Sequence, residues 1–278
     1  MRKYRGVVFL GKCNLNCWYC DKPHYTVDEE KVIGSLKKIL NRFDKNEVAM
    51  RVECRGEITL YQRIINYLEN KAKEGYCIEI LSNGLLLANV LEEHTNIHCV
   101  VSLDGHNKRM NQFRKLNQQQ VDTILDNIFR YKAEIQSVIL GQTTDEINEF
   151  IQYLIDRDFN TRLHLFPCSI KGKLISKSLD YQALKQADFL PPKEYFYRWQ
   201  YILENQKRDF VCDFFKNGYT YYIYNNTIEM MKCDGTPNCH DFRVPFGEEQ
   251  HYKEYPCGTC INHNEYNNSR SFINTSGE

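Results

Sequence analysis

The stretch CNLNCWYC, residues 13–20, places Cys13, Cys17 and Cys20 in a C-x3-C-x2-C spacing. Thiolates are soft ligands suited to zinc or to iron–sulfur centres. A centre held by protein alone ordinarily takes four ligands, so three thiolates leave one metal position for another group. Nine further cysteines bring the total in the 278-residue chain to twelve. A disulfide framework suits small exported domains. Here the N-terminus, MRKYRGVVFLGKC, lacks a small-residue cleavage site, so reduced, metal-binding thiols are the expectation. A second knuckle, Cys257-Gly-Thr-Cys260, follows Cys212, Cys233 and Cys239. Those thiolates suit either an iron–sulfur cluster or zinc, with His240 and His263 as substitute ligands for the latter.

Strands and helices must carry these groups to one place. Short apolar runs read as strands at 4–10, 47–54, 77–82, 97–103, 135–140 and 161–166. Amphipathic stretches between them, at 27–43, 60–74, 87–94, 118–134 and 144–157, have helical spacing. Six strands separated by helices predict parallel β/α units with right-handed crossovers, hence an α/β fold with a partial barrel. Functional residues then collect at the carboxyl edge of the sheet. Residues 1–190 form this barrel, and 191–263 an appended domain with a helix over 191–206 and a hairpin turning at Asn225-Asn226. The polar tail 264–278 is expected to lack structure. Equal numbers of acidic and basic residues, 36 each, argue against nucleic acid or anionic lipid as partners. No apolar run approaches the roughly 20 residues of a membrane span, and a cytoplasmic location is the expectation.

The three-cysteine loop directly after the first strand, with Tyr19 before its last cysteine, resembles that of the radical S-adenosylmethionine (radical SAM) superfamily. The resemblance implies that Cys13, Cys17 and Cys20 hold three irons of a [4Fe-4S] cluster, the fourth being bound by S-adenosylmethionine. Reductive cleavage would then give methionine and a 5′-deoxyadenosyl radical that abstracts a hydrogen atom. Arg55-Gly56-Glu57 resembles the family's Gly-Gly-Glu motif for the methionine amino group, with Arg55 in place of the first glycine and Glu57 as acceptor. Ser82-Asn83-Gly84 resembles its ribose-contacting turn. Ser102-Leu103-Asp104-Gly105 with Arg114 resembles the SLDG…R signature of a subgroup with extra clusters, Met110-Asn111 replacing the usual His-Asp pair. The C-terminal cysteines resemble the shortened Twitch form of the SPASM auxiliary domain, in which Cys212, Cys233, Cys257 and Cys260 would hold a second [4Fe-4S] cluster. Cys239 is then either a fifth, non-ligating thiol or a replacement for Cys212.

Two clusters, S-adenosylmethionine and an external one-electron reductant are thus implied. The resemblance favours an enzyme that modifies a ribosomally made peptide. Because the chain starts at the first barrel strand, a peptide substrate would then need a separate leader-binding protein as partner, or be recognised by the barrel and Twitch surface. The alternative is a small-molecule dehydrogenase that oxidises an alcohol on an aminocyclitol-like metabolite. A non-catalytic iron–sulfur or zinc binding protein is the reading from another class. Cys168, after the sixth strand, is the candidate catalytic thiol: its weak S–H bond could return a hydrogen atom to a substrate radical, as an epimerase requires; the other readings are packing between barrel and auxiliary domain, and ligation of the second cluster in place of Cys212. Cys54 also follows a strand at the chemical edge, whereas Cys77 and Cys99 read as small apolar side chains within strands. His94, His98, His106 and His164 read as isolated structural or exposed residues, and the tyrosines of 219–224 as packing for the hairpin.

Overall fold

A computed structural model describes residues 2–20, 26–46, 48–91, 95–167, 169–170, 173–174, 179–190, 219–231, 243–244 and 246. All six expected barrel strands are present: β1 (Arg2–Phe9), β2 (Val48–Arg55), β3 (Cys77–Ser82), β4 (His98–Ser102), β5 (Glu134–Ile139) and β6 (Leu163–Pro167). They pair in chain order, each parallel to the next. The helices between them are α1 (Glu29–Leu40), α2 (Gln62–Lys73), α3 (Leu87–Val90), α4 (Gln118–Arg130) and α5 (Thr144–Ile155).

Local chemistry sets the helix starts. The Asp28 side chain accepts from the Lys31 N–H to begin α1, whose first turn is acidic and last turn basic. Capping boxes, Asn117 with Gln120 and Thr143 with Glu146, begin α4 and α5. Apolar residues at helical spacing, such as Val32, Leu36 and Ile39 of α1, pack against the helix-facing side chains Val52, Ile80, Val101, Ile135 and Leu165 of the strands.

A short ribbon, β7 (Ser169–Ile170) with β8 (Lys173–Leu174), follows the barrel and has no counterpart in the sequence reading. The expected hairpin is β9 (Tyr219–Tyr224) and β10 (Thr227–Met231), turning at Asn225-Asn226. Its placement is the main surprise, because β9 pairs parallel with β1 and extends the barrel's sheet. With β11 (Arg243–Val244) the order is β11-β10-β9-β1-β2-β3-β4-β5-β6. The boundary at residue 190 therefore does not separate two sheets. The hairpin turn docks on the start of α1, where the Asn225 side chain accepts from Asp28 N–H at 2.9 Å and Ser35 Oγ donates to the Asn225 carbonyl at 2.7 Å. Tyr221, 1% exposed, packs into the core as expected of the hairpin tyrosines. The helix expected at 191–206, the tail, Cys168 and all five C-terminal cysteines lie outside the described residues. No helix among those described is long and apolar enough to cross a membrane.

Candidate active site at the carboxyl edge of the sheet

Cys13, Cys17 and Cys20 sit on the loop leaving β1, and all three are at least partly exposed. That loop is held from two sides. On one side the loop after β2 grips it: Leu10 and Gly11 donate their N–H groups to the Arg55 carbonyl, and the Glu57 N–H donates to the Lys12 carbonyl at 2.8 Å. The Tyr61 hydroxyl adds a hydrogen bond to the Leu10 carbonyl. Gly56 makes this approach feasible. It has φ +141°, and a Cβ there would stand 2.7 Å from the Lys12 carbonyl oxygen. The demanding position of the motif is thus Gly56, and the exposed Arg55 fits without strain.

On the other side the segment after β4 grips it. Trp18 N–H donates to the Phe113 carbonyl at 2.8 Å, and their rings lie 5.9 Å apart. Arg114 places its guanidinium 5.6 Å from the Tyr19 ring centroid. The same guanidinium makes two parallel 2.8 Å bonds to Asp104, both residues being buried. Asp104 also accepts from Val138 N–H at 2.8 Å, which ties β4 to β5. Burial opposes the Arg114 charge, but Asp104 outweighs it and holds the side chain firmly protonated. Asn111 keeps the loop in shape, accepting from Asp104 N–H and donating to the carbonyls of Gly105 and Asn107. It does this without the His-Asp pair of the family signature.

Glu57 and Ser82-Asn83 form one network. The buried Glu57 carboxylate accepts from Thr59 N–H and Oγ1, from Ser82 Oγ at 2.7 Å and from Asn83 N–H at 2.8 Å. Most of its acceptor capacity is therefore used inside the protein. The Asn83 amide in turn donates to Asn14 at 2.7 Å and reaches the Cys13 sulfur at 3.9 Å. Gly84, at φ +81°, lets this turn lie against Val101, where a Cβ would stand 2.5 Å from a methyl group. Ser102 ends β4 at the same edge.

These residues fit an iron–sulfur cluster. Burial pushes the Cys17 thiol up, the Cys20 and Cys13 thiols add to that, and Arg114 pulls the other way. Three mutually repelling thiolates need bound cations, and a nearby guanidinium offsets the remaining negative charge. Leu15 N–H points to the Cys13 sulfur at 3.4 Å, the kind of hydrogen bond that tunes such centres. Cys54 corrects the sequence reading. It lies within β2, on the helix-facing side, packed against the core, and burial raises its thiol pKa well above normal, followed by the Glu57 and Glu53 charges. Cys99 is buried as expected, its thiol pushed up to about 12 by burial.

Two histidines that read as isolated in the sequence are not so in the fold. His98 and His164 both reach Glu134, at 3.3 and 2.7 Å, inside the barrel. His98 also lies 3.9 Å from Glu79, which pairs with Arg51. Register shows why five strands supply one layer. Glu79 stands level with Arg51 and His98, Glu134 with Val100, and His164 with Gln136. The row thus climbs four residues over four strand steps, the stagger of a barrel whose strands tilt about its axis. Barrel interiors are usually filled with branched apolar side chains, whereas this layer is charged. Polar residues at alternate strand positions were the signal available in the sequence.

The layer makes stability depend on pH. Burial raises the Glu79 carboxyl from 4.5 to about 7, with Arg51 and His98 opposing. Folding therefore favours its protonated form, and that contribution is lost as pH rises from about 4.5 to 7. Burial opposes the charge on His98, but Glu134 and Glu79 outweigh it and raise its pKa, so its contribution also fades with rising pH. Against burial, hydrogen bonds with His164 and His98 hold Glu134 below the usual range, which costs stability only on acidification. Thermal midpoints should fall between pH 5 and 8. Glu79→Gln should remove a share of about 3 kcal/mol from that decline. Parallel pH profiles for the two proteins would refute the assignment.

No protein-family model matches the chain. Neomycin C epimerase of Streptomyces fradiae is 42% identical over 271 residues, covering 97% of this chain and 91% of that protein. The structure of Streptococcus suis SuiB bound to S-adenosylmethionine superposes with a TM-score of 0.60 at 13% identity, covering 87% of this chain and 62% of that one. The chain thus spans less than two thirds of SuiB. The structure of tagged anSMEcpe with bound AdoMet gives a TM-score of 0.51 at 16% identity, over 87% of this chain and 76% of that one. At such identities these two structures share the fold.

Proposed function

The chain belongs to the radical SAM superfamily, and we propose that it inverts one carbon centre of an aminoglycoside-type small molecule. The observation that carries this reading is the 42% identity to neomycin C epimerase across nearly the whole of both chains. It displaces peptide modification as the favoured activity, because the likeness to peptide-bound SuiB, at 15% identity, extends only to the fold.

In this reading Cys13, Cys17 and Cys20 hold the [4Fe-4S] cluster. With S-adenosylmethionine bound beside it, such a cluster would supply the abstraction of a hydrogen atom from the substrate. The chain's own residues position the partners. Gly56 brings the backbone after β2 against the cysteine loop, where it can meet the methionine end, while Glu57 fixes Ser82-Asn83 beside it. Arg114 and Asp104 lock the loop from the β4 side, and Ser102 and Tyr19 complete the rim. A second cluster on Cys212, Cys233, Cys257 and Cys260, with Cys239 as the alternative ligand, belongs to the same proposal.

Inversion needs a hydrogen atom returned to the opposite face. A thiol does this when its S–H bond breaks and a substrate C–H bond forms, leaving a thiyl radical. One electron from an external reductant and one proton from water restore the thiol. Cys168 is the proposed donor. Because thiol hydrogens exchange with solvent, neomycin C turned over in D2O should yield an epimer carrying one deuterium at the inverted carbon. Cys168→Ala should still form 5′-deoxyadenosine but no epimer. Modification of a precursor peptide, with no aminoglycoside epimer formed by the unaltered protein, would overturn the reading.

A further inference from the structure

Arg55 is where the Arg55-Gly56-Glu57 stretch departs from the Gly-Gly-Glu pattern, and it stands at the barrel mouth. Side chains alternate along β2. Val52 and Cys54 turn to the helix-side core, whereas Arg51 pairs with Glu79 in the interior, and Glu53 Oε1 lies 3.7 Å from Arg51 Nε. Arg55 closes β2 on that inward face, level with Phe9 at the end of β1. Its backbone is fixed against the cysteine loop, its carbonyl accepting from Leu10 and Gly11 N–H at 3.1 and 3.0 Å. Its side chain is exposed, and the guanidinium makes no ion pair or hydrogen bond with the described residues. Nothing in the fold asks for an arginine here, because the close approach to Lys12 is made by Gly56.

The neighbouring groups show what is left for this guanidinium to bind. Glu57 accepts four hydrogen bonds from Thr59, Ser82 and Asn83. A carboxylate offers about four acceptor positions, so little of Glu57 remains for an incoming amino group. Across the loop, the buried Arg114 is committed to Asp104 by two bonds. The acceptor of the motif is thus occupied, while a cation beside it is open. The aminated substrate proposed above carries ammonium groups, which Arg55 repels. Anions that belong beside the cysteine loop are the thiolate-held cluster and the carboxylate of S-adenosylmethionine. The planar fork of guanidinium donors suits a carboxylate. Lys12 is exposed and unpaired as well, but an ammonium offers only a point charge.

We propose, on the footing of the family assignment, that Arg55 binds the carboxylate of S-adenosylmethionine through its paired N–H donors. The chain thereby moves part of its grip on the methionine end from Glu57, which is engaged inside the protein, to the residue that replaces the first glycine.

The test is calorimetric titration of the anaerobically reconstituted holoenzyme with S-adenosylmethionine and with decarboxylated S-adenosylmethionine. The second probe keeps the adenosine, the sulfonium and the amine but lacks the carboxylate. Arg55→Met should weaken S-adenosylmethionine about 10- to 100-fold and leave the affinity for the decarboxylated probe unchanged. Iron content and circular dichroism should match the unaltered protein, because the hydrogen bonds that hold the loop come from the Arg55 backbone. Arg55→Lys keeps the charge without the fork and should recover only part of the loss. A merely structural role would weaken both probes together or lower the iron content, and either result would overturn the proposal. So would full recovery by lysine, which would reduce Arg55 to a charge near the cluster, or a selective loss in Lys12→Met instead. If the unaltered, iron-loaded protein binds neither probe and forms no 5′-deoxyadenosine, the cofactor assignment itself fails, not merely the role of Arg55.

Discussion

Replacing Cys13, Cys17 and Cys20 together with alanine is expected to abolish 5′-deoxyadenosine formation and to remove about four irons per chain. The three thiols share one loop, and behind burial the Cys20 and Cys13 thiols both raise the Cys17 pKa. Among the other described cysteines, Cys54 and Cys99 are turned into the helix-side core, with their thiols held protonated by burial, and Cys77 opens β3 at the end away from the carboxyl edge. Iron analysis of anaerobically reconstituted protein checks this. If the C-terminal cysteines hold a second cluster, about four irons should remain in the triple variant, and Cys257→Ala with Cys260→Ala should remove those. Persistent S-adenosylmethionine cleavage by the triple variant would show that these thiols are not the radical-generating centre.

Asp104→Ala is expected to produce the largest loss of stability of any single replacement at the site. It strands the Arg114 guanidinium, 5% exposed, without the carboxylate that makes two 2.8 Å bonds to it. Breaking one side of a buried ion pair costs about 3–5 kcal/mol. For a chain of this size that lowers the thermal midpoint by roughly 10 °C. Replacing both partners, as Asp104→Leu with Arg114→Met, removes the stranded charge and should recover most of the midpoint. Iron loading should stay impaired in the double variant, because the guanidinium beside Tyr19 and Cys17 is gone. A double variant that melts and loads like the unaltered protein would show that the pair does not hold the cysteine loop.

Local patterns in the chain were sufficient for much of this molecule. Short apolar runs marked all six barrel strands, and amphipathic spacing marked the helices between them, because both signals arise within a few residues of chain. The Cys13–Cys20 spacing and the turns at Gly56, Asn83 and Asp104 were legible for the same reason, each sitting at a strand end that the pattern already located. What the tertiary structure decided were relations between distant segments. Glu57 reads as a ligand in its motif, yet Ser82 and Asn83, about 25 residues away, make two of the four hydrogen bonds it accepts. The hairpin reads as part of a separate domain, but unpaired backbone on β1 gives β9 a free edge to join. His98 and His164 look isolated in the sequence. Only the stagger of a tilted, closing sheet brings residues four strands apart into one layer, and no local pattern carries that stagger.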